Sequence, residues 1–361
     1  MSRARDRRET AASSSEVLLE ARDVHVSFTG RAGLLSGLSG RAVPVARAVD
    51  GVSLAVKQGE IVALAGESGC GKTTLARTIM GLERPTRGDV LYEGRPIRDD
   101  LRAYRRKVQM IFQDPTGALN PRQTIYESVA EGLRIHKLPG VEESLVADAL
   151  TRAGLRPAER FFLLYPHELS GGQRQRAVIA GALALNPKVL VADEPVSMLD
   201  ASVRGEILRL LLQLRDDFGL SLIIVTHDLG LAWTVADRVA VMYLGRIVEE
   251  GPAERVLTQP LHPYTRALLD IVPEAGGLER PVLKGEPPDP SNIPPGCRFH
   301  PRCPAVAGGA AADAGVESLC RNEDLGLVEL RPGHTVACHL ALKTHGDAAT
   351  ADAGGSPVPN V

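Results

Sequence analysis

The sequence predicts an α/β fold with a largely parallel sheet, on three observations. Short apolar runs read as buried strands, helical segments alternate with them, and a glycine-rich turn joins one such run to a helix. The alternation holds from about Val17 to Val256. The runs Ile61–Ala65, Val108–Phe112, Val189–Ala192 and Leu222–Val225 are β-branched and bounded by polar residues or Gly, as buried strands are. Gln173–Leu185 and Val203–Phe218 carry helical patterns between them. Gly30–Arg47 is rich in Gly, Ser and small residues and reads as a long loop between early strands. After Leu257 the character changes. His262–Val272 is expected as one helix. Pro and Gly are frequent from Pro273 to Pro304, followed by an Ala/Gly stretch at Ala305–Gly315. Such a segment buries little core by itself and needs a staple. Met1–Ser15 and Thr344–Val361 are expected to be a disordered arm and tail.

Composition narrows the function. The 361 residues suit one large domain plus a smaller one, or two domains, and 44% hydrophobic residues supply a core. A net charge of −2 leaves no basic field for nucleic acid. The first eight residues hold four Arg, but no apolar stretch follows, so the arm is not a secretory signal. No segment approaches the ~18 consecutive apolar residues of a spanning helix, so the protein is expected to be soluble or peripheral. Of five cysteines, four lie from Cys297 onward. Without an export signal they are expected as thiols or metal ligands rather than disulfides.

Gly66-Glu-Ser-Gly-Cys-Gly-Lys72-Thr73 fits G-x-x-x-x-G-K-(S/T), between the strand Ile61–Ala65 and the helical Thr74–Met80. Gly66, Gly69 and Gly71 allow a tight turn, so that several N–H groups, those of Ser68, Cys70 and Thr74 among them, can face one anion at a helix N-terminus. Lys72 places a cation on the β- and γ-phosphates of ATP, and Thr73 offers a hydroxyl to Mg²⁺. Cys70 is either a redox switch or a small side chain that fits a crowded turn. Downstream, Val189-Leu-Val-Ala-Asp193-Glu194 ends an apolar strand in two acids. Asp193 falls near Mg²⁺, and Glu194 can orient or deprotonate the attacking water.

Leu169-Ser170-Gly171-Gly172-Gln173 resembles the signature of ABC transporter ATPases. A hydroxyl and two Gly N–H groups at a helix N-terminus form a second anion site. The resemblance implies that two cassettes pair head-to-tail, so that ATP on Lys72 of one is covered by Ser170–Gln173 of its partner. Gln113 resembles the Q-loop glutamine that touches Mg²⁺ or the water. His227 resembles the switch histidine at the γ-phosphate. Ser197-Met198-Leu199-Asp200 resembles the D-loop, with Met198 where the family usually has Ala and Val196 where it often has Thr. Phe28 sits where the family places an aromatic against adenine; a buried strand aromatic explains it equally. The implied fold is an ABC-type P-loop NTPase cassette over residues 16–257 with a helical subdomain at about 114–169. A small Cys-containing C-terminal extension is expected over 258–343.

Gln113-Asp-Pro-Thr-Gly-Ala-Leu-Asn-Pro-Arg122, Leu261-His-Pro-Tyr-Thr-Arg-Ala-Leu268, Gly296-Cys-Arg-Phe-His-Pro-Arg-Cys303 and Val336-Ala-Cys338-His339 resemble the dipeptide and oligopeptide importer ATPases. The cysteines follow C-x5-C-x16-C-x17-C through Cys297, Cys303, Cys320 and Cys338. Four thiolates suit zinc or an iron–sulfur cluster. Zinc sites usually show tighter pairs, and the resemblance implies a 4Fe–4S cluster, with Zn²⁺ the alternative and four free thiols a third reading. His300 and His339 are alternative ligands or surface groups.

The resemblance implies a peptide-importing ATPase on the cytoplasmic face of a membrane. Two permease subunits and a second cassette, identical or different, are its expected partners, with an extracytoplasmic substrate-binding protein reached indirectly. Nickel or an oligosaccharide is the alternative cargo. A non-transport ABC ATPase is the rival role, against which the single cassette and balanced charge weigh.

Overall fold

A computed structural model describes residues 17–29, 44–270, 283 and 285–352, with the backbone alone from 346 to 352. The arm Met1–Ser15 and the part of the tail beyond Asp352 lie outside the described residues, as does most of the long loop expected from Gly30. Val45–Arg47, placed in that loop above, is instead the start of a strand.

Two sheets organise the described residues. Strands β1 (Val17–Thr29), β2 (Val45–Lys57), β4 (Arg87–Tyr92) and β5 (Arg95–Pro96) form an antiparallel sheet in the order β2-β1-β4-β5. The larger sheet contains β3 (Ile61–Ala65), β6 (Val108–Ile111), β7 (Val189–Asp193), β8 (Ser221–Thr226), β9 (Arg238–Tyr243), β10 (Arg246–Pro252), β11 (Val328–Arg331) and β12 (His334–Val336). Its order is β11-β12-β10-β9-β3-β8-β7-β6, and β9, β3, β8, β7 and β6 run parallel. This is the expected α/β class.

The continuous apolar runs have a structural cause. In β3, Val62 and Leu64 enter the core shared with β1, β2 and the helix Lys72–Ile79. Ile61 faces the helical side, and Ala63 and Ala65 a third core around Tyr243 and Tyr264. A parallel strand buried on both faces has no position for a polar residue until it ends. The ends are where the polar residues fall: β7 runs on to Asp193 and β8 to Thr226, just before His227.

Between β6 and β7 lie the helices Pro115–Ala118, Ile125–His136 and Glu142–Arg152 and two short 3₁₀ turns ending at Glu168. The helix Ile125–His136 starts at a capping box: Thr124 Oγ1 accepts from the Glu127 N–H at 3.2 Å, and Glu127 Oε2 accepts from the Thr124 N–H at 2.8 Å. Val129, Leu133, Val146 and Leu150 join Ala177 and Ile179 of the helix Gly171–Leu183 in one core. The subdomain therefore extends its packing past residue 169.

The region after residue 257 is joined to the cassette rather than set apart. Strand β12 pairs antiparallel with β10, Glu249 opposite Val336, and β11 pairs with β12, so two tail strands extend the cassette sheet. Glu249 is fully buried and accepts from the Leu261 and His262 N–H groups at 2.7 and 2.9 Å, and it lies 2.8 Å from His334 Nε2. Burial alone would raise this carboxyl; the bonds from His334, Leu261 and His262 bring it below its ordinary range. The helix expected over His262–Val272 is observed at Pro263–Leu269, capped by His262 Nδ1, which accepts from the Tyr264 N–H at 3.0 Å. The described chain ends in the helix His339–Asp352, which overlaps the first residues of the tail expected from Thr344.

Candidate functional site

The loop Gly66–Thr73 joins β3 to the helix Lys72–Ile79. Gly66 has φ 149° and Gly71 φ 107°; a Cβ on them would lie 2.2 Å from Met242 O and 2.0 Å from Ala48 O. Backbone occupies both places, so neither position admits a side chain. Lys72 is buried and donates to the Gly66 and Glu67 carbonyls, both at 2.8 Å. Ser68 and Gly69 are exposed on the loop, and Thr74 is half-buried in the first helical turn. Cys70 is buried, and burial pushes its thiol above the ordinary value. A protonated, enclosed thiol fits the packing reading of Cys70 better than the redox one.

Opposite the loop, Thr73 Oγ1 donates to Asp193 Oδ1 at 3.2 Å. Burial, and then neighbouring Glu194, raise the Asp193 carboxyl against the lowering effect of the Thr73 bond. Glu194 follows in a left-handed conformation with φ 47°, uncommon for a non-glycine residue. It is held there at main chain and side chain. Its N–H donates to Val225 O at 2.9 Å, and its carbonyl accepts from the Ser197 N–H and Oγ at 3.2 and 3.1 Å. Gln113 Nε2 donates to Glu194 Oε2 at 3.0 Å, and His227 Nδ1 lies 2.9 Å from Glu194 Oε1. Lys72, Thr73, Asp193, Glu194, Gln113 and His227 thus form one group at the ends of β3, β6, β7 and β8. The pair Thr73–Asp193, with Gln113 nearby through Glu194, is an oxygen-rich set of the kind that holds a hard divalent cation such as Mg²⁺.

Phe28 is 44% exposed near the end of β1, which removes the buried-core explanation of this aromatic. It pairs with Ala46 on β2, two residues from the Ala48 carbonyl that abuts Gly71.

Ser170 caps the helix Gly171–Leu183: its Oγ accepts from the Gln173 N–H at 3.3 Å, and Gln173 Oε1 accepts from the Ser170 N–H at 2.9 Å. A Cβ at Gly172 would meet Val203 Cγ1 at 2.7 Å. Among the described residues no hydrogen bond joins Ser170–Gln173 to the phosphate loop of the same chain. Asp200 is exposed at the start of the helix Ala201–Phe218, and Met198 beside it is 62% exposed. Arg204 Nε donates to Leu199 O at 2.7 Å and supports this loop from within.

Cys297, Cys303, Cys320 and Cys338 line a single small cavity with Phe299 and His262. Burial raises all four thiols, Cys297 to about 12 and Cys338 to about 11. Among the described residues no three His, Cys, Asp or Glu side chains are grouped to hold a metal ion. His300 Nδ1 and His339 Nε2 lie near the Cys297 and Glu323 carbonyls instead, at 2.9 and 3.0 Å.

Sequence reasoning passed over Glu67. Its carboxylate pairs with Arg302 at 2.7 and 3.0 Å across 235 residues, and no local spacing announces such a pair.

Comparison with known proteins shows what the chain resembles. Residues 49–197 match the family model described as ABC transporter, and residues 248–308 that of the oligopeptide/dipeptide transporter C-terminal region. The chain is 42% identical to the oligopeptide transport ATP-binding protein AppF of Bacillus subtilis over 91% of this chain and 99% of that one. It is 45% identical to the oligopeptide transport ATP-binding protein OppF of Escherichia coli over 81% and 90%. Among solved structures it resembles cbiO1 of Clostridium perfringens, part of an ABC transporter complex, at a TM-score of 0.58 and 30% identity over 68% and 92%. It also resembles an ATP-binding cassette solved as a dimer in a post-hydrolysis state bound to ADP and Pi, at a TM-score of 0.55 and 30% identity over 65% and 99%.

Proposed function

Because this chain belongs to the oligopeptide and dipeptide group of ABC transporter ATP-binding proteins, we propose that it binds and hydrolyses ATP to drive peptide import through partner permeases. It is an ATPase that works as one of two cassettes, peripheral to the membrane at its cytoplasmic face. Among the described residues no helix is long and apolar enough to cross a membrane.

One observation carries the chemistry: Glu194 touches both Gln113 and His227, next to the Thr73–Asp193 pair. In this reading the N–H groups of Gly66–Thr73 and the ammonium of Lys72 bind the β- and γ-phosphates, with Phe28 against the base. Thr73 and Asp193, with Gln113, would hold Mg²⁺, which would supply charge neutralisation on the phosphates. Glu194 orients the attacking water and takes its proton, while His227 holds the γ-phosphate and the Glu194 carboxylate in one register. Ser170–Gln173 serves the partner's ATP, which is supported by the exposure of Met198 and Asp200 and by the lack of a bond to the chain's own loop.

The four-thiol cavity is read as a 4Fe–4S site on the family resemblance and on the one cavity that Cys297, Cys303, Cys320 and Cys338 line, although among the described residues their side chains are not themselves grouped to hold a metal ion. Such a cluster would supply the staple that the Pro- and Gly-rich segment needs.

The test is a gentle-detergent purification of the chain from its native membranes, followed by peptide-dependent ATPase measurement on the complex. Two permease chains with peptide-stimulated turnover are expected. Recovery only from the soluble fraction, with nucleic acid or ribosomes, overturns the transport reading.

A further inference from the structure

Glu67 is the second residue of the loop that the reading above gives to a polyphosphate, so the loop carries a carboxylate of its own. Left alone, that charge works against the site twice: it repels phosphate, and it competes for Lys72. The C-terminal extension answers it. Arg302 forks onto the carboxylate, Nη1 to Oε2 at 2.7 Å and Nη2 to Oε1 at 3.0 Å, with its own side chain almost fully buried. A bidentate guanidinium–carboxylate pair fixes direction as well as charge. The Glu67 N–H donates to the Tyr264 hydroxyl at 2.8 Å, and Tyr264 is fully buried. The rings of Tyr243, Tyr264 and Phe299 lie 4.7 to 5.2 Å apart and wall in this contact. Arg302 lies over the Tyr243 ring, 5.9 Å from its centroid. Lys72 accordingly donates to the Glu67 carbonyl, not to its carboxylate.

We propose that Arg302 and Tyr264 are positioning residues of the nucleotide site: reaching in from the C-terminal extension, they turn the Glu67 carboxylate away from Lys72 and neutralise it, so that the loop presents net positive charge to ATP. The cassette's own motifs are then insufficient for full ATP affinity, and the extension completes the site. This rests on the reading of Gly66–Thr73 as the phosphate site.

The experiment measures ATP and ADP dissociation constants on the full-length chain, with thermal unfolding of each variant alongside. Arg302→Met is expected to weaken ATP by about tenfold, and ADP by less, since ADP carries less phosphate charge. Adding Glu67→Gln to Arg302→Met is expected to restore ATP affinity, which no merely structural role of Arg302 predicts. Tyr264→Phe keeps the ring and loses the hydroxyl, and a smaller loss is expected. Unchanged affinity in Arg302→Met, or a loss that Glu67→Gln does not rescue, overturns the proposal. If Arg302→Met does not fold, Glu67→Gln alone decides: removing the carboxylate leaves the Arg302 charge uncompensated beside the loop, so tighter ATP binding supports the charge argument, and unchanged or weaker binding overturns it. Lys72→Ala separates the two levels, because ATP binding unaffected by that change removes the phosphate-site reading itself.

Discussion

His227 Nδ1 and Glu194 Oε1 meet at 2.9 Å across the ends of the adjacent strands β8 and β7. Glu194 leaves β7 in a left-handed conformation, φ 47°, and its side chain meets His227 just past the end of β8. A residue kept in a costly conformation by bonds to Val225, Ser197, Gln113 and His227 is one whose placement matters to the site.

Glu194→Gln keeps the shape and loses the base. Turnover is expected to fall by about 10²-fold or more, the scale of general-base catalysis, with ATP binding retained. Phosphate release and nucleotide binding measured on the same preparation check this. Turnover near the parent level would remove Glu194 as the base.

Ser170→Ala deletes the acceptor of the cap on the helix Gly171–Leu183. Loss of stability should be only about 1 kcal/mol, yet ATP-dependent dimerisation should be strongly weakened if this turn clamps the partner's nucleotide. Analytical ultracentrifugation with ATP, in the Glu194→Gln background, reads the outcome. An intact dimer would mean that Ser170 serves its own helix and nothing more.

His262 gives the protein an acid-sensitive joint. Burial pushes its pKa down to about 4, so it stays neutral in the fold while the unfolded chain takes up a proton below about 6.5. Between these values the unfolded state binds more protons, and stability rises with pH. The contribution is complete above about pH 6.5 and is lost as pH falls toward 4, a change on the order of 3 kcal/mol. Thermal unfolding across that window should show the slope. His262→Asn keeps a capping acceptor without the titration and should flatten it. An equal slope in His262→Asn would assign the effect to other groups.

The cysteine cavity makes a chemical prediction. Protein purified without oxygen is expected to carry about four iron and four sulfide per chain, as a four-thiolate cluster requires. Cys338→Ser should lose most of that iron and lower the unfolding temperature. Zinc without sulfide would replace the cluster by the alternative, and absence of all three would leave four buried thiols.

Much of the site could be read from the chain because its parts are local. A loop of eight residues needs Gly66 and Gly71 for reasons set within that loop and the strands touching it, and the helix that follows is continuous with it. Asp193 and His227 are legible because a doubly buried strand cannot carry a polar side chain before it ends. The alternating pattern is likewise local, so the α/β class followed directly. How the extension after residue 257 joins the cassette was not legible, for the opposite reason. Strands β11 and β12 are short, partly polar and far from β10 in sequence, and nothing in their composition says which edge they extend.

What the sequence by itself determined was the inventory: a phosphate loop, an acid pair at a strand end, a capped Gly-Gly turn, and four cysteines in a segment too poor in core to stand alone. What only the tertiary structure decided was which of these meet. The left-handed turn at Glu194, the exposure of Phe28, the cysteines' shared cavity and the Arg302–Glu67 pair all depend on contacts between distant segments. Their partners are chosen by strand order and packing, which act between residues that no local period relates.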